Sequence, residues 1–476
     1  MLISIRSVGG KLMDMLMFQL QKQSPIPLYK QLYQEIKKAI IEGKIVVGIK
    51  LPSKRKLADY LQISQTTVEL AYAQLVAEGF IESRPRKGFY AQPVEELAYL
   101  DIPHDEPAVE ESISYRIDFN SGNIDTHSFP FLTWRKLTRD ILDDSNHELL
   151  LSGHPQGDDV LRQEIARYLY QSRGVVCDAS QIVIGSGTEQ LLPLLIRLLD
   201  KKLVYGYENP GYALTHSIFS HHDRQAIPID IDADGLNVSQ LESSTVDVAY
   251  VTPSHQFPSG SVLSATKRAQ LLNWAVAKPE RYIIEDDYDS EFRYTSRPIP
   301  ALQSMDLSDR VIYISTFSKS LMPSLRLAYM VLPKRLLPAY QQTFRHYSSS
   351  VPRHDQHMVA TFMKDGHFAR HLNRMRKLYQ KKIKQLSTSL APFAPTVTVS
   401  GEQAGMHIVL TIQTKWTEQE LINRAKQVGI RVTGLQSYDV HKRAYTPPKI
   451  VLGFGGLSEE DIHAGIMELM TCWEIR

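Results

Sequence analysis

Lys319 is the residue in this sequence whose surroundings most clearly suggest a chemical role, because it lies between two serines in the largely apolar segment STFSKSLMPSLRLAYMVLP. An amine in apolar surroundings has a lowered pKa and can attack an aldehyde. Ser315, Ser318 and Arg326 of the same segment add hydroxyls and a guanidinium that suit a phosphate monoester. A lone lysine after a strand is usually an exposed charge, so the interpretation depends on what accompanies it.

Three further clusters accompany Lys319. In GSGTEQ, Gly187 and Thr188 would offer backbone N–H groups at a helix start, although glycines at such a turn often serve the turn alone. Asp286 and Tyr288 of EDDYDSEF are two residues apart and project to one side of a strand, and ENPGY ends with Tyr212. No His/Cys/carboxylate set with ligand spacing accompanies the acids, so no metal site is expected. A phosphate cradle, a lysine, an aromatic ring and an acid for a pyridine nitrogen together indicate pyridoxal 5′-phosphate.

The segments that carry these clusters alternate between strand and helix patterns from Ile117 onward. QIVIGSG, KLVYGYENP, VDVAYVTP, RYIIEDDY and RVIYISTFS are short β-rich runs, separated by helical stretches such as EQLLPLLIRLL. This alternation predicts a parallel sheet with helices on both faces, and ligands bind at the carboxyl ends of such strands. The polar clusters lie at those ends.

A basic segment precedes this region. Residues 22–92 hold twelve Lys/Arg against six Asp/Glu, whereas residues 93–118 hold one Arg against eight acids. Helical spacing of Leu28, Leu32 and Ile36, two serine caps at Ser53 and Ser64, and two short strands around RPRKG predict a winged helix-turn-helix. We therefore expect a nucleic-acid-binding head followed by an acidic linker.

The amino-acid composition excludes several classes of protein. The chain has 476 residues, 43% of them apolar, with 54 Lys/Arg against 52 Asp/Glu and only Cys177 and Cys472 as cysteines. These values argue against wholesale disorder, a uniformly basic surface and a disulfide framework, and they favour a cytoplasmic protein. No apolar run approaches the ~18 residues of a membrane helix.

The stretch LPSKRKLADYLQISQTTVELAYAQLVAEGFIESRPRKGFYA resembles the DNA-binding domain of GntR-type bacterial repressors. A recognition helix enters the major groove by its N-terminal residues, so Gln65, Thr66 and Thr67 would reach base edges. Many relatives carry Arg where this chain has Gln65. Five basic residues would meet phosphates or the minor groove, and each is otherwise an ordinary surface charge: Arg55, Lys56, Arg84, Arg86 and Lys87.

The later clusters resemble fold type I aminotransferases, and TPSHQFPSG with EDDYDSEFRY and STFSKSLMPSLRLAYMVLP is similar to the MocR/GabR subfamily, which fuses a GntR winged helix to such a domain. The resemblance implies that Lys319 forms the Schiff base, Asp286 holds the pyridine nitrogen protonated, Tyr288 bonds the ring oxygen and Tyr212 stacks on the ring. It also implies a phosphate site and a homodimer, because fold type I sites are usually completed by a second subunit. The residues predicted around the phosphate are Ser186, Gly187, Thr188, Ser315, Ser318 and Arg326.

The predicted architecture is multidomain: a winged helix-turn-helix (α+β), then an α/β aminotransferase-like domain with a smaller C-terminal α+β subdomain. The expected boundaries are a leader at 1–23, the winged helix at 24–92, the linker at 93–117 and the aminotransferase-like domain at 118–476, with the subdomain from about 345. Phe257 stands where aminotransferases commonly have an asparagine. In some members of the subfamily, arginines bind γ-aminobutyrate. The corresponding positions of this chain are Leu214 and Ser437, so we do not expect γ-aminobutyrate to be its effector.

The predicted function is a pyridoxal-phosphate-dependent regulator that binds double-stranded operator DNA and responds to an amine or to the cofactor itself. Physiological turnover is not expected, although an aminotransferase-type half-reaction stays open. One alternative is an active aminotransferase with a tethered DNA-binding head. Another is a sensor of pyridoxal phosphate level that controls vitamin B6 synthesis.

Overall fold

The structure, a computed structural model, describes residues 20–21, 24–94, 114–294 and 299–476. Its internal contacts separate Met1–Glu111 from Ser112–Arg476. Nearly all of the predicted leader and most of the predicted linker lie outside the described residues.

The described residues of the first unit form three helices and one hairpin, as predicted. Ser53 and Ser64 cap the second and third helices, because their Oγ atoms accept hydrogen bonds from the N–H groups of Lys56 and Thr67 at 3.2 and 3.1 Å. The apolar faces meet in one buried core around Tyr72. The elements are α1 Leu28–Ile41, α2 Lys54–Leu61, α3 Gln65–Ala77, β1 Ile81–Arg84 and β2 Gly88–Ala91, the two strands being antiparallel.

The second unit begins with the strand β3 and ends with the helix α14. Its strands are β3 Ile117–Asp118, β4 Ile182–Gly185, β5 Tyr205–Asn209, β6 Ala226–Asp232, β7 Gly235–Leu236, β8 Val248–Val251, β9 Tyr282–Asp287, β10 Val311–Thr316, β11 Ala328–Val331, β12 Val397–Ser400, β13 His407–Ile412, β14 Ile430–Arg431, β15 Thr433–Gly434 and β16 Lys449–Gly453. Its helices are α4 Phe131–Ile141, α5 Asp159–Arg173, α6 Thr188–Leu198, α7 Ala213–His221, α8 Val238–Ser243, α9 Ala265–Val276, α10 Leu337–Phe344, α11 Arg353–Lys364, α12 His367–Leu390, α13 Glu418–Gln427 and α14 Glu459–Cys472.

The large sheet has the order β4-β11-β10-β9-β8-β5-β6-β7. Five neighbouring strands run parallel: β10, β9, β8, β5 and β6. Four of them are predicted runs, whereas β6 is not one of the runs that the sequence pattern identified. The sheet as a whole is mixed, because β11 is antiparallel to β10 and β4, and β7 is antiparallel to β6. Parallel pairing requires a crossover of about a dozen residues or more, usually with a helix, and no α-helix lies between β10 and β11.

Both faces of this sheet are covered. Ile284 of β9 packs in the cluster formed with α6 and α10, while the preceding residue, Ile283, packs with α8 and α9 on the opposite face. This alternation follows from the two-residue period of a strand. A second, antiparallel sheet of order β12-β13-β16-β15 lies within the range 345–476, together with α12, α13 and α14.

Across the part of the chain that the structure describes, no helix is both long and apolar enough to cross a membrane. Cys177 and Cys472 are both thiols.

Candidate functional site

The parallel strands bring the predicted clusters to one edge of the large sheet. A cavity of about 320 Å³ lies there, at the carboxyl ends of β8, β9 and β10 and at the start of α6. Eight of the predicted cofactor residues line it: Gly187, Thr188, Tyr212, Asp286, Tyr288, Ser318, Lys319 and Arg326. These residues are as much as 139 positions apart in sequence, so the fold, and not a local motif, assembles the cavity.

Lys319 follows β10 and faces this cavity. Its Nζ donates a hydrogen bond to the carbonyl oxygen of Ser121. Burial lowers the pKa of the Lys319 amine to about 8, although the charge of Asp289 opposes this change. A larger fraction of the amine is therefore unprotonated near neutral pH, which is the form that attacks a carbonyl carbon.

Asp286, the fifth residue of β9, presents a carboxylate to the same cavity. Its Oδ2 accepts a hydrogen bond from the hydroxyl of Tyr250, while its Oδ1 is buried without a partner among the described residues. Burial raises the pKa of Asp286 to about 7, and the hydrogen bond from Tyr250 only partly offsets this. A buried carboxylate with one unused oxygen suits a cationic N–H donor such as a protonated pyridine ring.

The start of α6 forms the other end of the cavity. Gly187 precedes the helix with φ +144°, and a Cβ atom on it would lie 2.6 Å from Nη2 of Arg326 and 2.5 Å from Oε2 of Glu189. Any side chain at this position would therefore fill the space beside the helix N-terminus. Arg326 forms an ion pair with Glu189, and both line the cavity. Free N–H groups at the helix start, the helix dipole and a guanidinium together suit a phosphate group.

Two predicted phosphate residues are not among the residues that line the cavity. Ser315 is buried and its hydroxyl donates to the carbonyl oxygen of Asp287 at 2.7 Å, while the next residue, Thr316, lines the cavity. Ser186 is half-buried, and its N–H donates to Oε1 of Gln190 at 3.2 Å. The one-residue difference between Ser315 and Thr316 reflects the alternation of side chains along β10.

The sequence interpretation missed several residues that line the cavity: Ser121, Tyr250, Thr252, Asp289, Thr316, Met406 and His407. Tyr250 and Thr252 lie at the end of β8, so their strand-end position was a usable signal. His407 begins β13 in the C-terminal part of the chain, and nothing in its local sequence connects it with the site. The fold also gathers His255, Asp289 and His407, whose nitrogen and oxygen atoms lie within 4.8 Å of one another.

The aromatic residues complete the walls. Tyr212 is 45% exposed and its ring meets that of Phe257 edge-on, at a centroid distance of 6.1 Å. Phe257 itself lines the cavity, so an apolar ring stands at the position where the resemblance leads one to expect an amide. Leu214 also lines the cavity, whereas the hydroxyl of Ser437 donates to the carbonyl oxygen of Gly434 at 2.7 Å.

These residues fit pyridoxal 5′-phosphate. The unused Oδ1 of Asp286 matches a protonated ring nitrogen, the space beside Gly187 matches a phosphate, and Lys319 matches the aldehyde. The donor types, the open cradle and the lowered amine pKa each correspond to a different part of one molecule.

The first unit presents its own polar surface. Gln65 and Thr66 are exposed at the start of α3, whereas Thr67 is half-buried and its hydroxyl lies 2.7 Å from Oγ of the capping residue Ser64. All five predicted basic residues are exposed: Arg55, Lys56, Arg84, Arg86 and Lys87. Arg86 lies at the hairpin tip, and the guanidinium of Arg84 stacks 4.6 Å from the ring of Tyr90.

Comparison with protein families divides the chain at the same place. Residues 28–91 match the family described as bacterial regulatory proteins of the gntR family. Residues 115–462 match aminotransferase class I and II.

Three relatives match the chain along nearly its whole length. The uncharacterized HTH-type transcriptional regulator YdeL of Bacillus subtilis is 43% identical, covering 96% of this chain and 99% of its own. The probable rhizopine catabolism regulatory protein MocR of Rhizobium meliloti is 30% identical and covers 96% of both chains. The HTH-type pyridoxine biosynthesis transcriptional regulator PdxR of Corynebacterium glutamicum is 28% identical, covering 94% of this chain and 97% of its own.

Among solved structures, a kynurenine aminotransferase of Pyrococcus horikoshii in complex with PMP superposes with a TM-score of 0.67 at 25% identity, covering 76% of this chain and 91% of that one. The second unit thus has the fold of a pyridoxal-phosphate-dependent aminotransferase, and a DNA-binding domain of the gntR family precedes it. The chain belongs to the MocR/GabR subfamily of GntR-type transcriptional regulators, in which a winged helix-turn-helix is joined to an aminotransferase-like domain.

Proposed function

We propose that this regulator holds pyridoxal 5′-phosphate at Lys319 and that its operator affinity changes when the cofactor, or a primary amine that reaches it, binds. The observation that carries the proposal is that one chain combines an exposed recognition helix with a cavity in which Lys319 and Asp286 face the same space. A role in regulating operator DNA supports a location in the cytoplasm, and the resemblance to fold type I proteins supports a homodimer.

Pyridoxal phosphate supplies an aldehyde that condenses with primary amines and a ring that withdraws electrons. Lys319 would supply the amine that holds the aldehyde, and the charge of Asp289 would favour the protonated form of that amine when it is free. Asp286 would hold a proton at the ring nitrogen, and Tyr288 would donate a hydrogen bond to the ring oxygen. The first N–H groups of α6 and the side chains of Thr188, Ser318 and Arg326 would hold the phosphate.

Binding of an effector in the cavity regulates transcription only if it is coupled to the binding of operator DNA. A typical coupling free energy between two sites is about 1–3 kcal/mol, and it requires that the effector bind one state of the protein better than another. Occupation of the site by the cofactor or an amine would engage or free the amine of Lys319, so the charges in the cavity that it shares with Asp289 would differ between these states. This local change is the event that the DNA-binding unit would report.

An active aminotransferase is the second candidate, and the eight predicted cofactor residues that line the cavity favour it. Phe257 weighs against it, because an apolar ring cannot donate the hydrogen bond that an asparagine would give to the ring oxygen. Repeated turnover with an amino donor and a keto acid at about 1 s⁻¹ or faster would favour the enzyme. A third candidate is a sensor of pyridoxal phosphate level, which the similarity to a pyridoxine biosynthesis regulator supports.

The central test measures operator affinity in three states. DNA fragments selected by the purified full chain would be titrated with the protein alone, with added pyridoxal phosphate, and with both the cofactor and a panel of primary amines. We expect the dissociation constant to change about fivefold or more in at least one state. The response should disappear in Lys319→Ala while DNA binding itself remains. Equal affinity in all three states would refute the proposal. A response to the cofactor that no amine changes further would identify the cofactor itself as the effector, which the third candidate requires.

Base preference should follow Gln65. A glutamine at this position suits adenine, whereas arginine suits guanine, because each pairs with two atoms of that base edge in the major groove. Gln65→Arg is therefore expected to shift the preferred base at one position per half-site, with a discrimination of about 1–3 kcal/mol in selection experiments. Lys87→Ala is the control, since loss of a phosphate contact should weaken all sequences alike and flatten the salt dependence. An unchanged base preference in Gln65→Arg would place Gln65 away from the bases.

A further inference from the structure

A buried histidine–aspartate pair lies directly behind Tyr288. The side chains of His255 and Asp289 are 1% and 3% exposed, and Nδ1 of His255 lies 2.9 Å from Oδ2 and 3.1 Å from Oδ1 of Asp289. The hydroxyl oxygen of Tyr288 lies 3.0 Å from the same Nδ1. His255 itself is not among the residues that line the cavity, whereas Tyr288 and Asp289 are.

The chemistry of these groups determines where the hydrogens lie. A carboxylate accepts hydrogen bonds but cannot donate them, so Nδ1 must carry the hydrogen that lies toward Asp289. Nε2 of His255 is buried without a partner among the described residues, and an N–H group at that position would be a costly unused donor. Nδ1 has one hydrogen, which Asp289 and the Tyr288 oxygen share, and it has no free lone pair to accept the Tyr288 hydroxyl. The Tyr288 oxygen therefore accepts, and the hydrogen of its own hydroxyl remains available to another acceptor.

The surrounding backbone fits closely around this pair. A Cβ atom on Gly405, which has φ +74°, would lie 2.1 Å from Cε1 of His255 and 2.6 Å from Oδ2 of Asp289. On the other side, the ring of His407 lies 5.0 Å from that of His255, and its Nε2 lies 3.0 Å from the carbonyl oxygen of Pro258. Burial lowers the pKa of His407 to about 3, so this ring is neutral and does not compete for Asp289.

The charges that act on Tyr288 are negative. Burial is the largest cause of the raised pKa of Tyr288, which lies well above its ordinary value, so the phenol stays protonated. Four negative side chains raise this pKa further: Asp289, Asp286, Glu208 and Asp287. The cationic side chains of Lys319 and Arg326 line the same cavity. Tyr288 is therefore a hydrogen-bond donor whose direction depends on what its oxygen accepts.

We propose that His255 and Asp289 are positioning residues that hold the Tyr288 hydroxyl so that it donates its hydrogen bond into the cavity, toward the ring oxygen of the cofactor. The inference rests on the proposed function, because it assumes that pyridoxal phosphate occupies this cavity. The same pair explains how the site orients Tyr288 although Phe257 occupies the place of a polar residue. Asp289 thus acts both on Lys319, by its charge, and on Tyr288, through His255.

The test compares His255→Leu with His255→Asn in the full-length protein. Leucine removes the donor, so Tyr288 turns toward the carboxylate of Asp289, whereas the amide nitrogen of asparagine can occupy the position of Nδ1. We expect His255→Leu to weaken binding of pyridoxal phosphate about tenfold. It should also raise the pH midpoint of the cofactor's visible absorbance by about one unit, because a donor to the ring oxygen favours its ionised form. His255→Asn should restore most of both properties.

A double-mutant cycle with Tyr288→Phe makes the test specific. If His255 acts through Tyr288, His255→Leu should change neither the affinity nor the midpoint further in the Tyr288→Phe background. Equal values for wild type and His255→Leu, or fully additive effects, would overturn the inference. If His255→Leu does not fold, His255→Gln replaces it in the test, because the glutamine amide is displaced toward the position of Nε2. We expect the same weaker cofactor binding and the same raised pH midpoint. Failure of the wild-type protein to bind pyridoxal phosphate would instead refute the proposed function.

Discussion

Replacing Lys319 with alanine is expected to abolish covalent attachment of pyridoxal phosphate to this protein. After incubation with the cofactor and reduction with borohydride, mass spectrometry of the wild type should find a pyridoxyl group on the peptide that contains residue 319, and none on that peptide in Lys319→Ala. The visible absorbance of the bound cofactor should disappear with it. The physical reason is that an unprotonated amine is required, and the cavity supplies one.

The magnitude of this effect follows from the pKa. With a pKa of about 8, about a tenth of the Lys319 amine is unprotonated at pH 7. A lysine with the ordinary value of 10.5 is unprotonated in only about one molecule in three thousand. Exposed lysines therefore react poorly, and Lys334→Ala, whose side chain is 70% exposed, is the matched control that should leave the adduct intact. An adduct in Lys319→Ala at the same yield as in the wild type would show that another amine holds the cofactor.

Replacing Arg173 with methionine should strongly destabilise the second unit. Arg173 ends α5, its side chain is 3% exposed, and its Nε lies 2.7 Å from Oδ2 of Asp287. Its Nη2 also donates to the hydroxyl of Ser254 at 2.6 Å, and its Nη1 donates to the carbonyl oxygen of Ile299. Removal of Arg173 leaves the buried carboxylate of Asp287 without its ion-pair partner, although the hydroxyl of Tyr313 still donates to Oδ2, and loss of a buried partner costs about 3–5 kcal/mol.

The measurement is urea unfolding followed by tryptophan fluorescence. All four tryptophans lie in the second unit, so the signal reports on that unit alone: Trp134, Trp274, Trp416 and Trp473. Arg167→Ala on the same helix is the matched control, because its side chain is 58% exposed and its ion pair with Glu164 should contribute at most about 1 kcal/mol. A loss below about 1 kcal/mol in Arg173→Met would mean that the Asp287 carboxylate finds another partner. The cofactor must be absent, since a bound ligand stabilises the native state.

The winged helix illustrates what could be predicted well. Its capping residues Ser53 and Ser64 act within three residues of themselves, and its apolar positions repeat with the helical period. In the second unit, the position of Lys319 after a strand and of Asp286 near a strand end could be predicted for the same reason, because each depends on one strand and the turn that follows. The antiparallel strand β11 could not, because the short segment after β10 also contains the cofactor cluster, and the pattern gives no strand direction.

The partners of the site residues illustrate what the sequence pattern did not reveal. Tyr250 and Asp286 are 36 positions apart, His255 and Asp289 are 34, and Arg173 and Asp287 are 114. A change of one residue in strand register exchanges the faces, so the pattern also could not decide between Ser315 and Thr316 as the residue that faces the cavity.

The amino-acid sequence by itself determined which chemical groups this regulator has and which local elements carry them, because helix caps, strand periodicity and turns depend on neighbours along the chain. The tertiary structure alone decided which carboxylate keeps an oxygen without a hydrogen-bond partner, which lysine amine is buried, and which histidine positions the tyrosine hydroxyl. Those properties depend on burial and on pairing between distant segments, and both arise only when the sheet and its covering helices pack together.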